Sequence, residues 1–382
     1  MKVSCLQEHF AKGLSLAGRA VATRTTLPIT THILLATDEG RLRLSATNLE
    51  IALTCWLGAQ VEEEGTVTVP ARLLTEFVGS LANERIDLTL PPRTRQLRLV
   101  CSRNQATING MDPEDFPPFP EIRDGTSLFI DPKVLHRALN HVVFAAATDD
   151  SRPVLTGVHV LLAPTPGGGS GLTLAAADGF RLAVHSLALE EPVADRMEII
   201  IPGRTLRELE RLLSDQEEPL EMVANAARTQ VLFRLKNVEL VSQLIQGTFP
   251  NYQQLIPDSA ACRAVAARSE FLRQTKIAAI FARDASGIVR LQMVPEGEMG
   301  AGRLIVSAKA EEVGDNVGEM DAIIEGEGGK IAFNSRYLQE VLQVLDCERV
   351  ALETSSPSSP GVIRPVDTQD YVHVVMPMFV QW

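Results

Sequence analysis

The sequence predicts an α+β chain built from three copies of one unit, each with two helices packed on antiparallel sheets. Three observations carry this reading. A motif that ends a strand and starts a helix recurs at a fixed interval. A strand-turn-strand motif recurs in step with it. Between them lie short runs of alternating hydrophobicity, the pattern of half-buried strands.

The first motif reads TVTVPARLLTEFVGSL (66–81), EIIIPGRTLRELERLL (198–213) and KIAFNSRYLQEVLQVL (330–345). Each is a β-rich run, a Pro or Asn at the turn, and an amphipathic helix. The anchors Pro70, Pro202 and Asn334 stand 132 residues apart in both steps. The second motif reads LRLSATNLEIAL (42–53), LTLAAADGFRLAV (172–184) and LIVSAKAEEVGD (304–315), with Asn48, Asp178 and Ala310 at intervals of 130 and 132. A weaker third pair, DFPPFP (115–120) and TFPNYQQLIP (248–257), puts Phe116 and Phe249 133 residues apart. Three domains follow, at 1–125, 126–257 and 258–382.

Each unit opens on a helix, near 8–21, 132–146 and 269–282. Its second helix is clearest at 204–213. There Leu206, Leu209, Leu212 and Leu213 form an apolar stripe, while Arg204, Arg207 and Arg211 recur at i, i+3 and i+7 on another face. GGGSG (167–171) and SSPSSPG (355–361) read as hairpin loops. The first is no phosphate cradle, because no GK[ST] follows and no βαβ unit surrounds it.

Composition limits the function. With 36 basic and 48 acidic residues the net charge is -12, which excludes a protein that coats nucleic acid with its whole surface, though not one with a basic patch. Cys5, Cys55, Cys101, Cys262 and Cys347 are scattered without metal spacing and read as reduced, mostly buried thiols. The opening MKVSCLQEHF has no secretory pattern and no apolar run is long enough to cross a bilayer, so a soluble, cytoplasmic chain is expected. The segment YVHVVMPMFVQW (371–382) is too short and too broken by proline for an anchor, leaving a core strand or a docking surface.

Catalysis finds little support. Of the seven histidines only His136 and His141 are close in a helix, and at i+5 they share no face. There is no HExxH or GxSxG, and Asp149-Asp150 and Glu62-Glu63-Glu64 read as solvated charges. No enzyme activity, cofactor or metal is expected. Nucleic acid fits better: Lys12, Arg19, Arg24, Lys133, Arg137, Arg152, Arg204, Arg207, Arg211, Arg273 and Lys276 lie on or beside helices of successive units. Aromatic residues are only 5% of the chain, which argues against base stacking and for phosphate contact without sequence reading.

Eight segments then carry a specific likeness: RTTLPITTHILL, TNLEIAL, DFPPFP, SRPVLTGV, ADGFRLAV, FPNYQQLIP, FNSRYLQEVL and YVHVVMPM, in family order along the whole chain. Together they resemble the bacterial sliding clamp family, the β subunit of DNA polymerase III. The resemblance implies a head-to-tail homodimer of three-domain chains, a ring around duplex DNA that tethers the replicative polymerase and confers processivity. It implies basic helix faces toward the DNA, matched position by position at Arg24 and Arg152, with Lys12, Arg137, Arg204, Arg207 and Arg211 as further contacts. An ATP-driven loader, repair polymerases and other clamp-motif proteins are implied partners.

The resemblance also implies a pocket for partner peptides at Leu155, Ala177, Gly179, Phe180, Arg181, Leu182, Pro250, Gln254, Leu255, Val374, Val375, Met376, Pro377 and Met378. Ala177 and Gln254 stand where many relatives have Thr and Arg, and the chain runs on past Met378, so Trp382 is expected to fold over the groove. For the ring's seam it implies Ala106 and Ile108 against Ile280 and Phe281, with Glu311, Glu312 and Asp315 facing basic residues such as Arg103. The competing readings are a clamp-fold scaffold without a replicative role and a hydrolase with a diffuse site. The absent catalytic spacing counts against the hydrolase, and the repeat gives it no support.

Overall fold

The structure, a computed structural model, describes residues 1–120, 122, 124–165, 169–189, 193, 196–283, 286–296, 300–312 and 314–382. One series of elements runs through it three times: strand, helix, four strands, helix, three strands. The first pass is β1 (Lys2–Leu6), α1 (Gln7–Ala17), β2 (His32–Asp38), β3 (Arg41–Thr47), β4 (Ile51–Gly58), an added β5 (Gln60–Glu63), β6 (Thr66–Pro70), α2 (Ala71–Gly79), β7 (Arg85–Thr89), β8 (Gln96–Cys101) and β9 (Asn104–Asn109). The second is β10 (Gly125–Ile130), α3 (Pro132–Val142), β11 (Gly157–Pro164), β12 (Ser170–Ala177), β13 (Arg181–Leu189), β14 (Met197–Pro202), α4 (Gly203–Leu213), β15 (Leu220–Asn225), β16 (Gln230–Arg234) and β17 (Val238–Gln243). The third is β18 (Cys262–Ala267), α5 (Arg268–Ala282), β19 (Ile288–Pro295), β20 (Ala301–Ala310), β21 (Gly314–Gly326), β22 (Gly329–Asn334), α6 (Ser335–Val344), β23 (Arg349–Thr354), β24 (Gly361–Pro365) and β25 (Tyr371–Val375).

The anchors of the first motif close β6, β14 and β22, each handing the chain to a helix. Chemistry explains the handover. Pro70 and Pro202 cannot continue a sheet ladder, and the Asn334 side chain caps α6 by accepting from the Arg336 N–H at 2.9 Å. The expected stripe of α4 is buried at Leu206, Leu209, Leu212 and Leu213, with Arg204 and Arg211 exposed and Arg207 half-buried.

The second motif forms hairpins. Asn48 Oδ1 accepts from the Glu50 and Ile51 N–H groups, and Asp178 Oδ1 from those of Phe180 and Arg181, so one side chain stabilises each two-residue turn. In the third copy Ala310 pairs with Gly314, one residue farther on, and Val313 of this turn lies outside the described residues. GGGSG joins β11 to β12, with Gly167 and Gly168 outside the described residues, and SSPSSPG joins β23 to β24.

The chain gathers into two compact units, residues 1–133 with 211–244, and residues 134–210 with 245–382. The first holds a five-stranded sheet, β5-β1-β7-β8-β9, and an eight-stranded sheet, β10-β15-β16-β17-β4-β3-β2-β6. Helix α1 buries Phe10, Leu14 and Ala17 there, and α2 buries Leu74 and Val78. The second holds a twelve-stranded sheet, β14-β11-β12-β13-β25-β24-β23-β18-β21-β20-β19-β22. Helix α5 buries Phe271 and Ala278, and α6 buries Leu338, Val341 and Leu342. Each large buried apolar side chain contributes roughly 1.5–3 kcal/mol of transfer free energy.

Candidate functional site

The residues expected to form a peptide groove lie in the second unit, where β13 meets β25 and β25 meets β24. Leu182 pairs with Val374 and Val374 with Val362, a row of apolar side chains across the sheet. Leu155, Ala177, Leu182 and Val374 join Phe249, Tyr252, Val362 and Val372 in one buried cluster. Phe180, Leu255 and Met376 flank it in the chain and are 57%, 49% and 43% exposed. Unlike core residues, these three present apolar surface to solvent. The Met376 N–H donates to the Phe180 carbonyl at 2.8 Å, closing the strand end against the hairpin.

Pro250 and Gln254 are exposed on either side of buried Tyr252, Val375 is fully buried, and Pro377 and Met378 are half-buried. Gly179 has a φ of +91°, and a Cβ there would come within 2.6 Å of Arg152 Nη1. Glycine takes this left-handed turn without strain and lets the Arg152 guanidinium lie close.

Arg181, only 8% exposed, organises one wall of the site. Its Nε donates to Asp178 at 3.0 Å, its Nη2 to the Phe144 carbonyl at 2.8 Å, and its Nη1 to Glu340. The guanidinium lies 4.5 Å from the Tyr337 ring centre and 5.1 Å from that of Phe144. Burial pushes the Glu340 carboxyl up, but hydrogen bonds from Arg336 and Arg181 more than reverse this, holding it below the usual carboxylate range. Phe180 in turn stacks on Tyr337 at 6.4 Å.

Sequence reasoning missed Tyr337, Glu340, Phe144 and Val362. Tyr337 sits inside FNSRYLQEVL, yet helical periodicity alone could not tell that its ring meets an arginine from a hairpin 156 residues away.

Beneath the groove strand lies a buried polar cluster. His141 Nδ1 is 3.2 Å from His185 Nδ1, and the Tyr371 hydroxyl is 3.1 Å from His373 Nδ1. Burial, reinforced by the neighbouring His141, lowers His185 to about 4. Burial lowers His373 to about 3 and raises Tyr371. Past β25 the Met378 N–H donates to the Ala332 carbonyl on β22, and the Trp382 ring centre stands 5.6 Å from Lys330 Nζ on the same strand. The expected closure of Trp382 over the groove is therefore revised: the indole is held at β22 by an ammonium on its face.

The basic residues are placed unevenly. Arg24 is exposed in the segment after α1. Arg152 is exposed too, but one of its nitrogens donates to the Asp178 carbonyl at 2.8 Å. Lys12 pairs with Asp215 at 2.9 Å, and Arg137 with Asp346 at 3.1 Å. Exposed pairs of this kind contribute about 0–1 kcal/mol and exchange readily for a phosphate. Arg19, Lys133, Arg204, Arg211 and Lys276 are half-buried or exposed on their helices or at helix ends, and Arg273 pairs with Glu270 on α5.

Among the free strand edges, two carry the residues expected at the seam. β9 ends the five-stranded sheet, with Arg103 exposed in the turn before it and Ala106 half-buried on it. Ile108 is 4% exposed, so it points into its own unit and backs the edge from within. In the second unit, β18 pairs only with Ala322–Gly326 of β21, leaving residues 314–321 bonded on one side alone. Glu311, Glu312 and Asp315 are exposed at its start. On the neighbouring α5, Ile280 is 59% exposed and Phe281 half-buried, and Val317, not singled out from sequence, is 66% exposed.

The five cysteines are free, four buried and Cys347 half-buried, and burial pushes Cys5 and Cys55 up to about 12. Among the described residues no cluster of three or more His, Cys, Asp or Glu is placed to hold a metal, and no helix is long and apolar enough to cross a membrane.

Comparison with known proteins agrees with this architecture over the full length. Family models of the DNA polymerase III beta subunit match in succession: the N-terminal domain over residues 1–120, the central domain over 129–251 and the C-terminal domain over 253–379. The beta sliding clamp of Synechococcus elongatus is 32% identical over 382 residues, covering 99% of each chain. The DNA polymerase sliding clamp of Bacillus subtilis superposes with a TM-score of 0.92 at 25% identity. A sliding clamp from Pseudomonas aeruginosa, solved bound to griselimycin, superposes with 0.89 at 28%, and both cover all of each chain. The three-domain fold is thus that of the DNA sliding clamps, proteins of replication that assist a polymerase without performing catalysis. This chain belongs to the family of the DNA polymerase III beta subunit, and its role is that of a replicative clamp.

Proposed function

We propose that two copies of this chain join head to tail into a ring around duplex DNA, through which the replicative polymerase is tethered. The observation that supports the reading is that the residues expected at the seam sit on or beside two different free edges, β9 in one unit and residues 314–321 of β21 in the other. A free strand edge is a ready template for another chain, and two different edges per chain make a head-to-tail contact that closes when the rotation allows. Ala106, backed by Ile108, faces Ile280 and Phe281 across the seam, while Arg103 faces Glu311, Glu312 and Asp315. A small apolar centre with a charged rim suits a ring that an ATP-driven loader must open.

The domains are taken as 1–125, 126–257 and 258–382, and the setting as the cytoplasm. Arg24, Arg152, Arg204, Arg207, Arg211, Lys12 and Arg137 touch phosphates loosely enough for the ring to slide. The groove at Leu155, Leu182, Val374 and Met376 takes short linear peptides of the polymerase, loader and repair proteins. Exposed Met376 and half-buried Met378 give it the adaptability that several peptides require.

Negative-stain electron microscopy at submicromolar concentration tests the ring, and retention on nicked circular against linear DNA tests topology. Closed rings with a duplex-wide hole, held on circles and lost from linear ends, are expected. Holeless particles, or equal loss from both DNAs, would overturn the reading in favour of a scaffold. Arg24→Glu is expected to shorten retention and to reduce the salt slope by about 1.

A further inference from the structure

We infer that the ring's seam lacks the helix-to-helix ion pair that ties each junction inside the chain, because Ala82 and Asn83 stand where those junctions have aspartate. Arg273 of one copy faces these two neutral residues of the next. The inference rests on the head-to-tail ring proposed above, and it names the residues that set how tightly that ring closes.

Both internal junctions are built from the same two parts. The first is a strand ladder. β17 pairs with β4 from Val238–Cys55 to Ser242–Ile51, and β25 pairs with β13 from Tyr371–His185 to Val375–Arg181. Beyond each ladder a closing bond recurs, from the Gln243 N–H to the Glu50 carbonyl at 2.9 Å and from the Met376 N–H to the Phe180 carbonyl at 2.8 Å. The second part is an ion pair between a first helix and the end of the next repeat's second helix. Lys12, the sixth residue of α1, meets Asp215 just past α4 at 2.9 Å. Arg137, the sixth residue of α3, grips Asp346 just past α6 with two prongs, Nε to Oδ2 at 3.1 Å and Nη2 to Oδ1 at 3.1 Å.

The third set of parts is split between the first repeat and the third. β9 has the place of β17 and β25, β21 has the place of β4 and β13, and both offer free edges among the described residues. Arg273 is the sixth residue of α5, the place of Lys12 and Arg137. Its acidic counterpart belongs just past α2. Asp215 stands 13 residues after Pro202, and Asp346 stands 12 after Asn334; the residues 12 and 13 after Pro70 are Ala82 and Asn83. Both are exposed and neither is charged. The Asn83 amide turns to Glu8 on its own α1 at 3.1 Å, and Arg273 pairs with Glu270 on its own helix at 2.7 Å. Glu84 follows, but burial and then the Glu84 carboxylate push the Cys101 thiol up, which sets that charge beside β8. An exposed ion pair shifts an equilibrium by a factor of only about 1.4 to 5. A two-membered ring closes two identical seams at once, so the missing pair counts twice, about 2- to 25-fold on the dimer. The chain is thereby weakest where two copies meet and firmer at the junctions within each copy.

The test is the dimer dissociation constant of the full chain, read by diluting fluorescently labelled protein in sedimentation velocity, for the unchanged chain, A82D, A82R, R273E and A82D/R273E. Ala82 and Arg273 are exposed, so each variant is expected to fold, which a thermal melt verifies. A82D is expected to tighten the ring about 2- to 25-fold at low salt and less at high salt. A82R is expected to loosen it by a similar factor, and the gain from A82D is expected to vanish in the R273E background. A constant that A82D and A82R both leave unchanged, or a gain that survives R273E, would overturn the inference and leave the ring standing. A chain that is monomeric at every concentration in all five forms would overturn both.

Discussion

Replacing Arg181 with methionine keeps a side chain of similar length but strips Asp178 and Glu340 of their partner. Breaking a buried ion pair from one side costs roughly 3–5 kcal/mol. The Asp178 and Glu340 side chains are 15% and 26% exposed, so water compensates in part. A loss of about 3 kcal/mol is therefore expected, the low end of that range. The double variant R181M/E340Q removes one stranded charge and should recover about 1–2 kcal/mol, since a neutral amide costs less to bury than a carboxylate. Urea unfolding followed by Trp382 fluorescence in a W56F background reads the second unit alone, because Trp56 and Trp382 are the chain's two tryptophans. A loss under about 1 kcal/mol, or a double variant no more stable than R181M, would show that Arg181 does not organise the wall.

Three further outcomes follow from the same geometry. I280A/F281A should shift the protein toward monomer in sedimentation velocity at submicromolar concentration, and a persistent dimer would place the seam elsewhere. Acid should weaken the second unit. The unfolded chain binds protons at the ordinary histidine value of 6.5 while folded His185 does so only at about 4, so stability is lost as pH falls between those values. His185→Gln should flatten that slope in melts taken from pH 7.5 to 4.5; its neighbours His141, Asp346, Asp370 and Arg137 remain. Deleting residues 380–382 removes the indole from Lys330 on β22 and should leave affinity for groove peptides unchanged; a dissociation constant that shifts severalfold would return the tail to the groove.

The threefold series of elements was legible because each copy repeats its punctuation. Pro70, Pro202 and Asn334 end strands and start helices by local chemistry, which sequence states directly. The groove's apolar members were legible through likeness, but its wall was not: Arg181 meets Glu340, Tyr337 and Phe144 through pairings that no period encodes. Ile108 shows the opposite limit. Motif correspondence assigns it to the seam, whereas its side chain is 4% exposed and backs half-buried Ala106 from within its own unit. Trp382 was unreadable for a simpler reason, since a single aromatic carries no periodicity and its seat depends on where β22 passes.

The position of β25 between β13 and β24 has a consequence for how the chain is made. Arg181 pairs with Val375, which is synthesised 194 residues later. Until then β13 and β24 each wait with a bare edge, and bare edges invite pairing with the wrong chain. The strand that joins these two blocks of the sheet is also the one that completes the groove. A chain halted before Tyr371 therefore leaves both edges open and has no finished groove with which to compete for a partner's peptide, so docking competence and sheet completion arrive in the same step.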